Sequence, residues 1–91
     1  MDTDIIIPIY NAFDFTKKCI ETVIEHTDLT KHTLLLINDK STDQRILPLL
    51  NLFTTEYPSL NITIINNESN QGFVRTVNIG MQHSSRDVVL L

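Results

Sequence analysis

The side chains best placed to do chemistry stand in short polar runs that directly follow apolar ones. Ile5-Ile6-Ile7-Pro8-Ile9 gives way to Tyr10-Asn11, and Leu34-Leu35-Leu36-Ile37 to Asn38-Asp39-Lys40-Ser41-Thr42-Asp43. Ile62-Thr63-Ile64-Ile65 is followed by Asn66-Asn67. Asp39 is the sharpest candidate among these residues. A carboxylate just past a buried strand can accept a hydrogen bond from a ribose hydroxyl or a base N–H, or it can close its own loop with Ser41 or Thr42 as an Asx-turn. Tyr10 offers a ring on which a base can stack. The other reactive groups have plainer readings. His26, His32 and His83 share no metal-ligand spacing and read as surface or helix-end residues. Cys19 reads as a buried structural thiol, Arg75 as a solvated arginine rather than a phosphate contact, Phe53 and Tyr57 as packing residues, and Phe73 as core in preference to a lid over the base.

These positions gain meaning from the elements that must hold them. The apolar runs at Ile5–Ile9 and Leu34–Ile37 are short, continuous and rich in β-branched or bulky residues, as in strands covered on both faces. Between them, Cys19, Ile20, Val23 and Ile24 recur as one stripe of a helix that runs from about Asp14 to Thr27. Lys17, Lys18, Glu21 and Glu25 take its other face, with Asp14 as the expected N-cap. A second helix is expected from about Leu47 to Glu56, because Pro48 fits only the first helical turn and Pro58 ends the run. A third, capped by Asn70, places Val74, Val77 and Met81 on one face. Asp87-Val88-Val89-Leu90-Leu91 opens a fourth strand.

The order β-α-β-α-β-α-β with short connections predicts an α/β fold. Its form is a three-layer α/β/α sandwich around a parallel β-sheet, reached by right-handed crossovers. In such sheets ligands lie outside the carboxyl ends of the strands, where Tyr10-Asn11, Asn38-Asp39 and Asn66-Asn67 collect. A chain that stops within Val88-Val89-Leu90-Leu91 reads as the N-terminal part of something longer.

Composition narrows the choices. The 91 residues are 42% hydrophobic, which excludes general disorder, and no apolar run is long enough to span a bilayer. Seven basic against eleven acidic side chains give a net charge of −4, which argues against a nucleic-acid partner. One cysteine rules out an internal disulfide framework, and a reducing, cytoplasmic setting is the default. A dinucleotide-binding Rossmann domain needs G-x-G-x-x-G after the first strand, but residues 8–14 hold no glycine, and Asp14 would repel a phosphate there. A nucleotide held here by base and ribose would need its phosphates compensated from elsewhere, most simply by a divalent metal. With no dense carboxylate cluster in the chain, the metal ligands are expected beyond Leu91. A receiver-like module would need an acidic pair after strand one and an Asp after strand three, where Tyr10-Asn11 and Asn66-Asn67 stand. A flavodoxin-like module would need a phosphate-binding loop after strand one, which is also absent.

Four segments carry a more specific signal. Ile5-Ile6-Ile7-Pro8-Ile9-Tyr10-Asn11 resembles the opening of the family 2 glycosyltransferases, which have the GT-A, Rossmann-like fold. Ile37-Asn38-Asp39-Lys40-Ser41-Thr42-Asp43 is similar to that family's second signature, with Lys40 where a glycine usually stands. Asn70-Gln71-Gly72-Phe73 and Asn78-Ile79-Gly80 resemble its third. Arg86-Asp87-Val88-Val89-Leu90-Leu91 resembles the strand that leads into its D-x-D metal motif. The four lie in the family's order and spacing and span nearly the whole chain.

The resemblance implies that residues 1–91 form a partial domain, the nucleotide-sugar-binding half of a glycosyltransferase. Pro8, Tyr10 and Asn11 match the segment that lines the pocket for the donor base. Asp39 matches the acid that hydrogen-bonds a uracil or related pyrimidine, and Asn70, Gly72 and Asn78 match residues bordering the nucleotide. The parent would transfer a sugar from a nucleotide sugar, UDP-linked by expectation, to the hydroxyl of a glycan or lipid-linked acceptor with inversion, as in polysaccharide biosynthesis. Mg²⁺ or Mn²⁺ on the D-x-D motif would stabilise the leaving diphosphate, and a later acid would serve as base. Neither stands in this chain, so no catalytic or metal residue is assigned within it, and the chain alone is expected to be inactive. The parent is expected in the cytoplasm or at the inner face of a membrane. A non-catalytic nucleotide-sugar-binding module is the alternative.

Overall fold

The computed structural model describes residues 3–84 and 87–90. Its elements alternate throughout: β1 (Thr3–Ile9), α1 (Phe13–His26), β2 (Thr33–Asn38), α2 (Ile46–Glu56), β3 (Ile62–Asn66), α3 (Phe73–His83) and β4 (Asp87–Leu90). All strand pairings are parallel, in the order β3-β2-β1-β4. The chain thus builds outward from β1 to β3 and then returns to the other side of β1. That reversal is the topological switch point, and it opens a crevice above the carboxyl end of β1. Arg86 and Leu91, placed by the sequence beside and within the fourth strand, lie outside the described residues.

The continuous apolar runs form strands because both of their faces are covered. On one face Ile5, Ile7, Ile9, Leu34 and Leu36 pack with Ile20 and Val23 of α1 and with Ile46, Leu49, Leu50 and Phe53 of α2. The expected stripe of α1 is therefore the buried one, with Cys19 and Ile24 at its margin. Ile6, Leu35 and Ile37 face the other way with Ile65 and Val88, under α3. Burying side chains of this size stabilises by about 1.5–3 kcal/mol each, an upper estimate because the unfolded chain is itself partly collapsed.

Three expectations about α1 and α3 are corrected. Asp14 does not cap α1. The chain enters that helix through two consecutive left-handed residues, Asn11 (φ 56°) and Ala12 (φ 51°), and Asp14 falls inside the first turn, where its charge favours the helix dipole. Asn70 does not cap α3, because Gly72 holds the N-cap position and Asn70 turns back to the β2 loop. Val74 and Met81 do not share the buried face with Val77, being 69% and 48% exposed. The inner face of α3 is Thr76, Val77 and Gly80. A Cβ on Gly80 would stand 2.6 Å from Ile37 Cδ1 and 3.0 Å from Ile6 Cδ1, so the missing side chain is what lets α3 lie close on β1 and β2.

Candidate functional site

The site grows from the loop after β2. Asn38, at the end of that strand, accepts the Ser41 N–H at its Oδ1 (3.1 Å), which makes the local turn. Asp39 is thereby released from the Asx-turn role the sequence also allowed. Lys40 takes a left-handed conformation (φ 59°), which explains why a glycine suits this place in the family signature. Its side chain borders a cavity of about 540 Å³ on the far side of the loop, with Asn66 and Asn67.

Asp39 reaches across to the segment that opens α3. Its Oδ1 accepts the Gln71 N–H (2.7 Å) and an Asn67 Nδ2–H (2.8 Å), and its Oδ2 accepts the Gly72 N–H (2.9 Å). Asn70 Nδ2 donates to the Asp39 carbonyl at 3.3 Å. Two successive backbone N–H groups meet one carboxylate because Gly72 adopts φ 81°, a conformation that favours glycine, even though a Cβ there would meet open space. Burial by itself would raise the Asp39 carboxyl. The hydrogen bonds from Gln71, Asn67 and Gly72, with the Thr76 hydroxyl close by, outweigh it and hold the group below its ordinary range, so it is ionised at neutral pH. Each carboxylate oxygen offers about two acceptor positions, and Oδ2 uses one of its own on Gly72.

Above this carboxylate lies a cleft of about 310 Å³, lined by Pro8, Ile9, Tyr10, Asp39, Asn70, Gly72, Phe73 and Thr76. Five sequence-selected residues, Pro8, Tyr10, Asp39, Asn70 and Gly72, are brought together there. Asn11 and Asn78 stand apart. Asn11 ties the β1 loop to the β2 loop: its N–H donates to Ser41 Oγ (3.0 Å), its Nδ2 to Thr42 Oγ1 (3.0 Å), and its Oδ1 accepts the Asp43 N–H (2.9 Å). Asn78 is exposed on α3 away from the cleft. Phe73, expected in the core, is instead 63% exposed and forms part of the cleft wall, as does Tyr10 at 48%. Three residues around Asp39 carry no individual role in the sequence: Asn67 stands there only as part of the polar end of strand three, Gln71 only within a signature, and Thr76 not at all. Thr76 could have been found from its place one turn after Gly72; Gln71 acts through its backbone and leaves no signal in residue type.

Next to the cleft, Arg45 pairs with Asp43 at 2.7 Å and lies 4.3 Å from the Phe13 ring centre. The pair holds the half-buried Asp43 carboxyl down at about 2. It sits at the start of α2 and lines no part of the cleft. Among the described residues no group of three or more His, Cys, Asp or Glu could hold a metal ion, and no helix is long and apolar enough to cross a membrane.

Comparisons agree with this arrangement. The model of the family described as "Glycosyl transferase family 2" matches residues 4–91. No curated protein sequence matches the chain. Among solved structures, a mannosyltransferase from Pyrobaculum calidifontis in complex with GDP-Man and Mn²⁺ superposes with a TM-score of 0.81 at 18% identity, over 91% of this chain and 24% of that one. GalNAc-T7 with UDP, GalNAc and Mn²⁺ gives 0.81 at 20% identity, over 99% of this chain and 17% of the other. S. aureus TarS 1-349 in complex with UDP-GlcNAc gives 0.79 at 20% identity, over 100% and 26%. The chain thus spans about a quarter or less of the length of these relatives, and at such identity the likeness shows the shared fold. With a parallel sheet reversing at β1, a cleft over its carboxyl end and a family model covering all but the first three residues, the chain belongs to glycosyltransferase family 2.

Proposed function

We propose that residues 1–91 are the donor-nucleotide-binding half of a glycosyltransferase domain. The parent enzyme transfers a sugar from a nucleotide sugar, with UDP as the nucleotide, to a hydroxyl of a glycan or lipid-linked acceptor with inversion. The observation that carries this reading is the Asp39 carboxylate. It is ionised, fixed by three protein donors, keeps an acceptor position on Oδ2, and opens into a cleft with two partly exposed aromatic rings. Uracil presents a ring N–H between two carbonyls, and a fixed carboxylate is its natural acceptor. Tyr10 and Phe73 supply surfaces for stacking, worth about 1–3 kcal/mol per base.

This chain's part in transfer is to bind and orient. Asp39 accepts a hydrogen bond and moves no proton, and the aromatic rings fix the plane of the base. A divalent cation, Mg²⁺ or Mn²⁺, would neutralise the donor diphosphate and help it leave. The described residues do not fit such an ion by themselves, so no step is derived through it. The sugar and acceptor sites, and a place for the parent in polysaccharide synthesis at the cytoplasmic side of a membrane, belong to the same proposal.

Calorimetric titration with UDP tests the reading. The chain should bind UDP, and Tyr10→Ala should weaken binding by roughly tenfold, one stacking contact's worth. Absence of binding, or equal affinity in the variant, would count against a base seated on Tyr10.

A further inference from the structure

Two side chains beside Asp39, Asn67 and Thr76, are joined to each other, and of the two only Thr76 lines the cleft. Asn67 follows β3, and its backbone N–H donates to the Asn38 carbonyl at 2.9 Å, which fixes the residue against the end of β2. Its Nδ2 makes two hydrogen bonds, to Asp39 Oδ1 at 2.8 Å and to Thr76 Oγ1 at 3.2 Å. A carboxylate only accepts, so the amide must turn its NH₂ end toward Asp39, and its second proton then falls to Thr76. Thr76 is fully buried on the inner face of α3, so its oxygen is an anchor that does not wander. The residue is thus held at three points: by its backbone on Asn38 of β2, and by its amide on Asp39 and on Thr76 of α3. Together with the Gln71 N–H the amide fills Oδ1, leaving the second acceptor position of Oδ2, beside the Gly72 N–H, to face a ligand.

We propose that Asn67, anchored by Thr76, is the positioning residue that makes Asp39 selective for a base with a ring N–H. The inference rests on the nucleotide reading of the cleft and adds to it a residue outside the four family signatures. Without the Asn67 donor, Oδ1 regains an open acceptor position, and the carboxylate is held only by the backbone N–H groups of Gln71 and Gly72. It still attracts an N–H, but with Oδ1 partly free it also accepts from other directions and sets the plane of the base less tightly. Discrimination should then fall more than stability does. Uracil carries a proton at its ring N3, whereas cytosine presents a lone pair there, so the ratio of UDP to CDP affinity reads the effect directly.

The experiment is calorimetric titration of UDP and CDP into the full chain, for the wild type, Asn67→Ser and Thr76→Val. The serine keeps the backbone bond to Asn38 but is too short to reach Oδ1, and at a half-exposed loop position it should fold; melting curves check both variants. Wild type should prefer UDP over CDP by at least roughly tenfold, the factor for one good hydrogen bond. Asn67→Ser should reduce that ratio to within about threefold, and Thr76→Val should lower it in the same direction. A merely structural role would weaken both nucleotides in proportion and leave the ratio unchanged, which would overturn the inference while the nucleotide reading stands. Failure of the wild type to bind UDP would overturn that reading, and this inference with it.

Discussion

Replacing Asp39 by asparagine changes one oxygen to NH₂ and almost nothing in shape, and the hydrogen bonds around it show what must follow. Oδ1 faces two donors, Gln71 N–H at 2.7 Å and Asn67 Nδ2–H at 2.8 Å, while Oδ2 faces one, Gly72 N–H at 2.9 Å. The variant amide can satisfy only one side. Its oxygen will go to the two-donor side, and its NH₂ will then point at Gly72 N–H and into the cleft. One hydrogen bond to a charged group is lost, about 1.5–3 kcal/mol, and two others become neutral and weaken. A net loss of about 2–4 kcal/mol is expected, a drop in melting temperature on the order of 10–20 °C for a chain of this size. The cleft would also change sign, offering a donor where it offered an acceptor. Asp39→Asn should therefore bind CDP, whose ring N3 accepts, better than UDP. Thermal melting and paired UDP and CDP titrations measure both effects. A variant that melts with the wild type and keeps the same nucleotide preference would refute the reasoning at its root.

Other expectations follow from single positions. Gly80→Ala drives a methyl into Ile37 and Ile6, and overpacking of about 1–3 kcal/mol outweighs the gain in helix propensity of about 1 kcal/mol, so chemical denaturation should show a destabilised protein. Lys40→Gly relieves a left-handed lysine at φ 59° and should stabilise by about 0.5–1 kcal/mol after the added chain entropy is subtracted, read as a higher denaturation midpoint. The depressed Asp39 carboxyl sets an acid limit. Its folded pKa lies below the ordinary value of 3.8, so its contribution is complete above that value and is lost as pH falls through the folded pKa. Denaturation of the wild type should show this acid loss, and Asp39→Asn should show less of it.

β1 and β2 were legible because each is a compact apolar run buried on both faces, a pattern few other elements share. The α1 stripe was legible because its apolar residues recur at helical spacing and form the one face it buries. Reading failed where backbone conformation or close approach outweighed residue type. Ala12 holds the entry to α1 in a left-handed conformation that no propensity scale assigns to alanine, so the expected cap, Asp14, lies two residues past the observed one. On α3 the apolar residues Val74 and Met81 suggested a face, but the helix turns its small residues inward because Gly80 and Thr76 allow it to approach the sheet. That rotation also puts Phe73 at the cleft. Asp39 could be singled out from one sequence, and four residues chosen with it, Pro8, Tyr10, Asn70 and Gly72, line the same cleft. Its supporting donors could not be read, since two are backbone N–H groups and the third, Asn67, looks like any loop asparagine.

The proposed function stands or falls with a nucleotide seated by its base in the cleft over the end of β1. Backbone amide NMR of the isotopically labelled chain, titrated with UDP, locates that seat residue by residue. Saturable shifts are expected at Tyr10, Asp39, Gly72, Phe73 and Thr76, with the outer face of α1 around Lys18 and Thr22 unmoved. Saturable shifts centred elsewhere, or none at UDP concentrations in the millimolar range (weak binding of about 4 kcal/mol), would contradict it.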